Sequence, residues 1–180
     1  MDRFLNDILP SVPSCPGPTI RRAVLSKAIE FCQQSSIWHE EQIFTADGGE
    51  SSIELLPPEQ SRAFRVEVTR NGVSCLTFDL NDQTLDFDTV FTKDEEIHIR
   101  LFLVPVRTAT SIPDQLYHEY FDALTQGALA HLMLMPNKEW TNPQLAVGYQ
   151  GDFMYYITQA KIAAIRRHPQ TKLRMNLTLR

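Results

Sequence analysis

The sequence is poor in the residues and segments that most often carry cross-links, metals or membrane anchors. Its three cysteines, Cys15, Cys32 and Cys75, form no CxxC pair. An odd, widely spaced set predicts neither a disulfide framework nor a zinc site, so buried free thiols are expected. No apolar run approaches the roughly 20 residues of a membrane-spanning helix, and the chain does not open with the apolar segment of a secretory signal. These absences predict a cytosolic protein that does not cross a membrane.

The common catalytic motifs are missing as well. None of the five histidines stands one helical turn from another with a glutamate beside it, as a zinc protease requires. Gly72-Val73-Ser74 lacks the second glycine of a nucleophile elbow, and Asp47-Gly48-Gly49 lacks the spacing and the lysine of a phosphate-binding loop. We therefore expect no catalytic residue, no metal site and no cofactor, and we predict that the protein is not an enzyme.

Charge is distributed unevenly along a chain of 180 residues whose net charge is only -5. From Asp79 to Glu96 there are seven acidic residues and one basic residue, which we interpret as a solvated acidic face. Residues 161–180 hold six basic residues and no acidic one. Opposite charges on one chain favour contacts between complementary surfaces, although solubility alone would also explain this distribution.

The hydrophobic period predicts three long amphipathic helices. The first covers residues 17–36, the second 111–135 and the third 142–168, where Asn142-Pro143 is a typical helix start. A short helix over residues 4–9 and a proline-rich link precede the first long helix. The connection between the last two helices is short, which favours antiparallel packing.

The third helix and its start contain the most informative side chains. Its predicted apolar face consists of Leu145, Tyr149, Phe153, Ile157, Ala160 and Ala164. Its aromatic residues, Tyr149, Phe153, Tyr155 and Tyr156, are interpreted as core packing rather than as a surface for stacking bases. Trp140 is predicted to lie buried over the turn before this helix, with its indole N–H bonded to a carbonyl.

Residues 41–106 follow a two-residue period that is typical of strands. Asn71-Gly72 between alternating apolar residues predicts a hairpin turn, and a late strand over 97–103 should end at Pro105. The predicted fold is therefore α+β: a three-helix bundle with an antiparallel β-sheet or small sandwich inserted between the first and second long helices.

The predicted fold divides the chain into three parts. Residues 1–40 and 107–168 form the predicted bundle, 41–106 the inserted β domain and 169–180 a basic carboxyl-terminal arm. In the arm, apolar residues alternate with polar and basic ones, which predicts a strand. That strand would either close the chain's own sheet or add to a neighbouring protein, and we favour the second role.

The segment from Ala128 to Ile165 says more about the class of protein than the composition of the chain does. It has the sequence ALAHLMLMPNKEWTNPQLAVGYQGDFMYYITQAKIAAI, which resembles the head–tail adaptor or neck proteins of tailed bacteriophages. The residues that carry the match are Trp140, Asn142, Pro143, Ala146 and Phe153. Residues 9–16, 28–32 and 37–38 resemble the opening of the same proteins. The order of elements, though not the residues, is similar to that of the tail tubular protein A family of podoviruses.

The resemblance implies a structural role without a reaction. Such proteins form rings, commonly dodecameric, that bind the portal protein and downstream neck or tail proteins and join capsid to tail. DNA passes through the lumen of the ring without specific binding. The implied location is the head–tail junction of the virion, after synthesis in the cytoplasm of the host bacterium. A carboxyl-terminal segment that reaches the portal would here consist of Lys172, Leu173, Arg174, Met175, Leu177, Leu179 and Arg180.

One alternative belongs to a different class of function. The basic arm and the sheet would also suit an accessory module that binds nucleic acid or protein without catalysis. Salt-sensitive binding of the monomer to DNA would favour that alternative.

Overall fold

A computed structural model of the chain describes residues 1–70, 77–91 and 95–167, which fold into a mixed α+β structure. The helices are α1 (Asp2–Ile8), α2 (Gly17–Ser35), α3 (Asp114–Glu119), α4 (Phe121–Met133) and α5 (Pro143–Arg167). The strands are β1 (His39–Ala46), β2 (Ser52–Glu54), β3 (Ser61–Arg70), β4 (Phe78–Asn81), β5 (Thr84–Phe87) and β6 (Glu95–Pro105). The predicted α+β class is confirmed. The predicted turn at Asn71-Gly72 lies outside the described residues.

The strands form two small antiparallel sheets. The first has the order β1-β6-β3 and the second the order β2-β5-β4. Within β6, residues Ile97, Ile99 and Leu101 are almost fully buried, whereas His98 between them is exposed. This alternation is the two-residue period expected of a strand with one face against a core, and β6 ends at Pro105 as predicted.

Helix α2 connects the sheets to the other helices. It packs against β6 on one side and against α4 and α5 on the other. Ile20, Val24 and Phe31 on α2 are fully buried. The backbone N–H of Leu103 in β6 donates to the carbonyl of Trp38, 2.9 Å away, just after α2. The buried side chains of helices and sheets therefore form one continuous core.

The three longest helices meet where Gly127 on α4 faces Phe153 on α5. A Cβ atom placed on Gly127 would lie 2.7 Å from a ring carbon of Phe153, which is closer than real Cβ contacts. Phe153 is fully buried, and its ring centre lies 6.1 Å from that of Phe31 on α2. Only a residue without a side chain lets the ring occupy this position.

The predicted second long helix is wrong in one respect. Residues 114–133 form two helices, α3 and α4, with a break at Tyr120, whose φ and ψ are -129° and 24°. The ring of Tyr120 lies 4.9 Å from Phe31, while the next residue, Phe121, stacks on Phe4 at 4.3 Å between ring centres. Packing of two successive aromatic rings against different partners overrides helix propensity here. The described residues thus contain five helices rather than a plain three-helix bundle.

Replacing Gly127 with alanine tests the close approach of α4 and α5. We expect Gly127→Ala to lower the free energy of unfolding by about 1–3 kcal/mol, because the buried ring of Phe153 has no room to move. Gly148→Ala is the matched control: its Cβ meets nothing within 4 Å, so it should stabilise α5 by about 0.5–1 kcal/mol. Urea denaturation of both variants gives the comparison. A gain in stability for Gly127→Ala would contradict the packing described.

Candidate assembly surfaces

The turn between α4 and α5 is held closed by the side chain of Thr141. Its hydroxyl donates to the carbonyl of Met135 and accepts the backbone N–H of Lys138 at 3.0 Å. The N–H of Thr141 donates to the carbonyl of Lys138 at 3.1 Å. One hydroxyl group therefore joins the end of α4 to the turn that follows.

Asn142 ends the turn and caps α5. Its side-chain oxygen accepts the backbone N–H of Leu145 at 3.2 Å, and its own N–H donates to the carbonyl of Met133 at 2.9 Å. Pro143 occupies the first helical position, where its missing N–H costs nothing. The helix start predicted at Asn142-Pro143 is confirmed.

Trp140 packs over this turn but is only half-buried. Its indole N–H is buried and has no hydrogen-bond partner among the described residues, so the predicted bond to a carbonyl is wrong. The carbonyls of Met133 and Met135, at the end of α4, already accept hydrogen bonds from Asn142 and Thr141.

Two substitutions of Trp140 should distinguish the effect of its apolar ring on stability from the effect of its unpaired N–H. Trp140→Ala is expected to cost about 1–2 kcal/mol of unfolding free energy, less than the roughly 3 kcal/mol or more of a fully buried tryptophan. Trp140→Phe keeps an aromatic ring and removes the unpaired donor, so its loss should be about 0.5 kcal/mol or less. A loss of about 1 kcal/mol or more for Trp140→Phe in denaturant titrations would show that the indole N–H is paired after all.

The inner face of α5 fills the core. Phe153, Ile157 and Ala160 are buried there as predicted. Leu145 is not: 52% of it is exposed, and Ala146 is fully buried in its place. Ala146 stands one helical turn after the cap, since its backbone N–H donates to the carbonyl of Asn142 at 3.0 Å. Its small side chain therefore lies near the turn that joins α4 to α5.

The outer face of α5 is also apolar, and none of the described residues covers it. Tyr155 is 62% exposed, so its interpretation as a core residue is wrong; Val147 and Ile165 are 72% and 67% exposed. We call the outward row of residues with alternating spacings of three and four the outer seam of α5. It consists of Gly148, Gly151, Tyr155, Thr158, Ile162 and Ile165. The spacing is typical of a helix face that packs against another helix.

A long open groove follows the exposed side of α2. The lining residues include Arg22, Ser26 and Ile29 of α2, Met135 after α4, and, after β6, Arg107, Ala109 and Thr110. Its volume of about 1420 Å³ exceeds the roughly 300–1,000 Å³ of a small-molecule pocket. We call this feature the α2 groove.

A buried cation lies beside the α2 groove. Lys27 is buried, and its ammonium group lies 2.8 Å from a carboxylate oxygen of Glu30 and 5.1 Å from the ring centre of Phe153. The other oxygen of Glu30 accepts the side-chain amide of Gln34 at 3.2 Å. Partial burial lowers the pKa of His131, and Lys27 lowers it further, while Glu30 opposes this shift. Lys27 and Glu30 therefore link the buried ring of Phe153 to the lining of the α2 groove.

Stability should fall in acid because of His131. Its folded-state pKa lies below the unfolded value of about 6.5, so the unfolded chain binds more protons between these two values. Lowering the pH from about 7.5 through the folded-state pKa should therefore reduce the urea midpoint. Because the ring stays accessible to solvent, the effect should be small. His131→Gln should flatten the dependence relative to the unmodified chain, and an unchanged slope would exclude His131 as its source.

The first sheet presents a charged outer face. Arg100 lies between Glu41 on β1 and Glu67 on β3, at 2.8 Å and 3.4 Å. The guanidinium of Arg65 lies 3.8 Å from the ring centre of Phe102. These cross-strand contacts satisfy the exposed charges within one sheet face, as is usual for a solvated surface.

The second sheet and the residues beside it carry Asp79, Asp82, Asp86 and Asp88 of the acidic stretch, while Glu95 and Glu96 begin β6 of the first sheet. Asp79 and Asp86 are direct cross-strand partners on β4 and β5, and Asp86 accepts the side-chain amide of Asn81 at 2.9 Å. Asp79, Asp82 and Asp88 are exposed, as expected of a solvated acidic face. Within residues 1–70, 77–91 and 95–167, no cluster of three or more His, Cys, Asp or Glu side chains is placed to hold a metal ion.

Two of the three thiols are unsuited to nucleophilic chemistry. Cys15 and Cys32 are buried and free, as predicted for them. Burial raises the pKa of both thiols, although Lys138 partly offsets this for Cys15. Both are therefore protonated at neutral pH. Cys75 lies outside the described residues.

The predicted portal-binding arm, with its seven candidate residues between Lys172 and Arg180, lies outside the described residues. Of the other predicted residues, Trp140, Asn142 and Pro143 lie together at the α4–α5 turn, whereas Phe153 lies in the core. In the part of the chain that the structure describes, no helix is long and apolar enough to span a bilayer.

Comparison with models of known protein families gives no match for this chain, and comparison with curated proteins gives none either.

Proposed function

We propose that the chain is a head–tail adaptor, or neck, subunit of a tailed bacteriophage. In this proposal, copies of the chain form a ring beneath the portal, join the capsid to downstream neck or tail proteins, and let DNA pass through the lumen. The protein then acts by assembly rather than by catalysis, at the head–tail junction of the virion.

The observation that carries the proposal is that α5 is apolar on two faces. Its inner face holds Phe153 in the core, and its outer seam leaves Tyr155 and Ile165 largely exposed. A monomer gains nothing from a second apolar face on a long helix, and a contiguous apolar patch usually marks a contact with another protein. A subunit of a permanent assembly would cover this face.

The residues that carry the resemblance support the same role. Trp140, Asn142 and Pro143 stand at one hydrogen-bonded turn between α4 and α5, and Phe153 fixes α5 against α2 and α4. A ring subunit needs such stiff joints, because small errors in angle accumulate around a closed ring.

The finer arrangement of the fold belongs to the proposal. Helices α2, α4 and α5 contact one another pairwise, and β1 to β6 lie between α2 and α3 in the sequence. These contacts support a helical bundle formed by residues 1–40 and 107–168, with the β domain of residues 41–106 inserted into it. The bundle would contact neighbouring subunits, and the β domain would be available to the tail side.

The α2 groove favours a protein partner over nucleic acid. Arg21, Arg22 and Arg107 line it, but so do Asp2 and Glu30. Arg21 is already paired with Asp2 at 3.2 Å. A surface of mixed charge lacks the positive field that phosphate binding needs, which suits a ring through which DNA passes without specific binding.

Removal of the arm tests the attachment to portal. Deleting residues 169–180 should leave the isolated subunit folded, with little change in melting temperature, and abolish its binding to portal rings. As a control, replacing Asn176 and Thr178 with serine keeps the length, the charge and the apolar positions, and should preserve binding. Co-sedimentation with portal and circular dichroism of the subunit give the two measurements.

Two results would contradict the proposal. If the full-length chain binds neither portal nor tail proteins, the adaptor role is wrong. If the truncated chain unfolds or loses several kcal/mol, the arm belongs to its own core rather than to an intermolecular contact. Salt-sensitive binding of the monomer to DNA would favour the accessory-module alternative.

A further inference from the structure

We infer that the outer seam of α5 in one copy lies in the α2 groove of the next copy. The inference rests on the proposed ring and names its lateral contact: two different surfaces of the same chain, repeated around an axis.

The exposed face is rich in large apolar side chains. Tyr155, Ile162 and Ile165 within the seam and Val147 and Met154 at its edge are 38–72% exposed. A contiguous exposed apolar face of this kind usually marks a contact with another protein.

Two glycines within the seam make no close contact with the part of the chain that the structure describes. Gly148 and Gly151 lie inside α5, and a Cβ atom on either would meet nothing within 4 Å. Glycine destabilises a helix interior relative to alanine. Gly127 offsets that cost by admitting Phe153, whereas these two glycines face open space. Their position suits the close approach of another helix to the amino-terminal half of α5.

Helix α2, which lines the groove, matches the seam in length. The seam from Gly148 to Ile165 and helix α2 each extend for roughly 25–30 Å. Within the groove, α2 presents the small Ser26 and the apolar Ile29 together with the charged Arg22 and Glu30. Side chains of a second helix can pack between such residues on an exposed helix.

The order of charges selects the direction of the contact. Along α5, the acid Asp152 precedes the base Lys161 by nine residues; along α2, the base Arg22 precedes the acid Glu30 by eight. If the two helices run in the same direction, Asp152 faces Arg22, while Lys161 approaches Glu30, whose carboxylate also contacts Lys27 and Gln34. In the opposite direction the same alignment would bring like charges together, which is unfavourable.

A stability and association comparison tests the inference. Gly151→Ala should raise the urea midpoint of the monomer but weaken self-association about 10-fold in sedimentation, because the added methyl group keeps the helices apart. Val147→Asp should weaken association about 100-fold. Val90→Asp is the matched control, since Val90 is 55% exposed but lies outside both surfaces, and it should change nothing.

Charge reversal tests the partner surface. Arg22→Asp and Asp152→Arg should each weaken association about threefold to 10-fold, and the double variant should recover most of the loss. Arg62→Asp, an exposed position on β3, is the control for a change in net charge alone. Without recovery in the double variant, these two residues do not face each other and the proposed alignment is wrong.

Cysteine cross-linking separates the possible occupants of the seam, in a background with Cys75 replaced by serine. A mixture of Ser26→Cys and Thr158→Cys chains should form disulfide-linked dimers, and neither variant alone should do so. Dimers of Thr158→Cys alone would show that α5 packs on α5, which overturns the inference. Protection of that thiol from alkylation in the full-length monomer, lost on deleting residues 168–180, would show that the chain covers its own seam and would overturn it as well.

The two proposals can fail separately. No association of the full-length chain up to about 1 mM, or association that Gly151→Ala leaves unchanged, overturns the lateral contact even if portal binding is observed. Association through the seam without any binding to portal or tail proteins would support the lateral contact and contradict the adaptor role.

Discussion

The contact between the ring of Phe153 and the backbone of Gly127 sets the arrangement of the helices. It fixes the distance between α4 and α5, and Phe31 of α2 packs beside the same ring. The ammonium group of Lys27 lies on the ring and is held by Glu30, so a buried charge is compensated by a π face and a carboxylate together. Because α2 also packs on β6, the position of the sheets relative to α5 depends on this contact as well.

Local sequence signals predicted the elements whose ends and faces are set by nearest neighbours. The start of α5 follows from the geometry of Asn142 and Pro143, and the buried positions in the first half of β6 follow from alternation between Ile97 and Leu101. These signals depend only on backbone hydrogen bonding and on one face being buried. These signals therefore predict such elements independently of the tertiary fold.

Predictions failed where the local sequence fits two structures equally well and tertiary contacts decide which of them forms. The break at Tyr120 has no proline or glycine to announce it and arises from rings that reach different partners. In α5, apolar residues at Tyr155 and Leu145 fit a helical period as well as Phe153 does, so period alone does not identify the inner face. The unpaired N–H of Trp140 depends on which acceptors the tertiary fold places within its reach, and residue type alone does not show this.

The same ambiguity in α5 connects fold to function. A helix with one apolar face has its orientation fixed by burial, but a helix with two needs something else to choose which face turns inward. Here the choice is made by shape, since only the inner face offers Phe153 to the gap at Gly127, while the glycines at 148 and 151 face open space. The packing of the core therefore determines which apolar face remains available to a partner. A defect at Gly127 would disturb the core first and, through the rotation of α5, the outer seam as well.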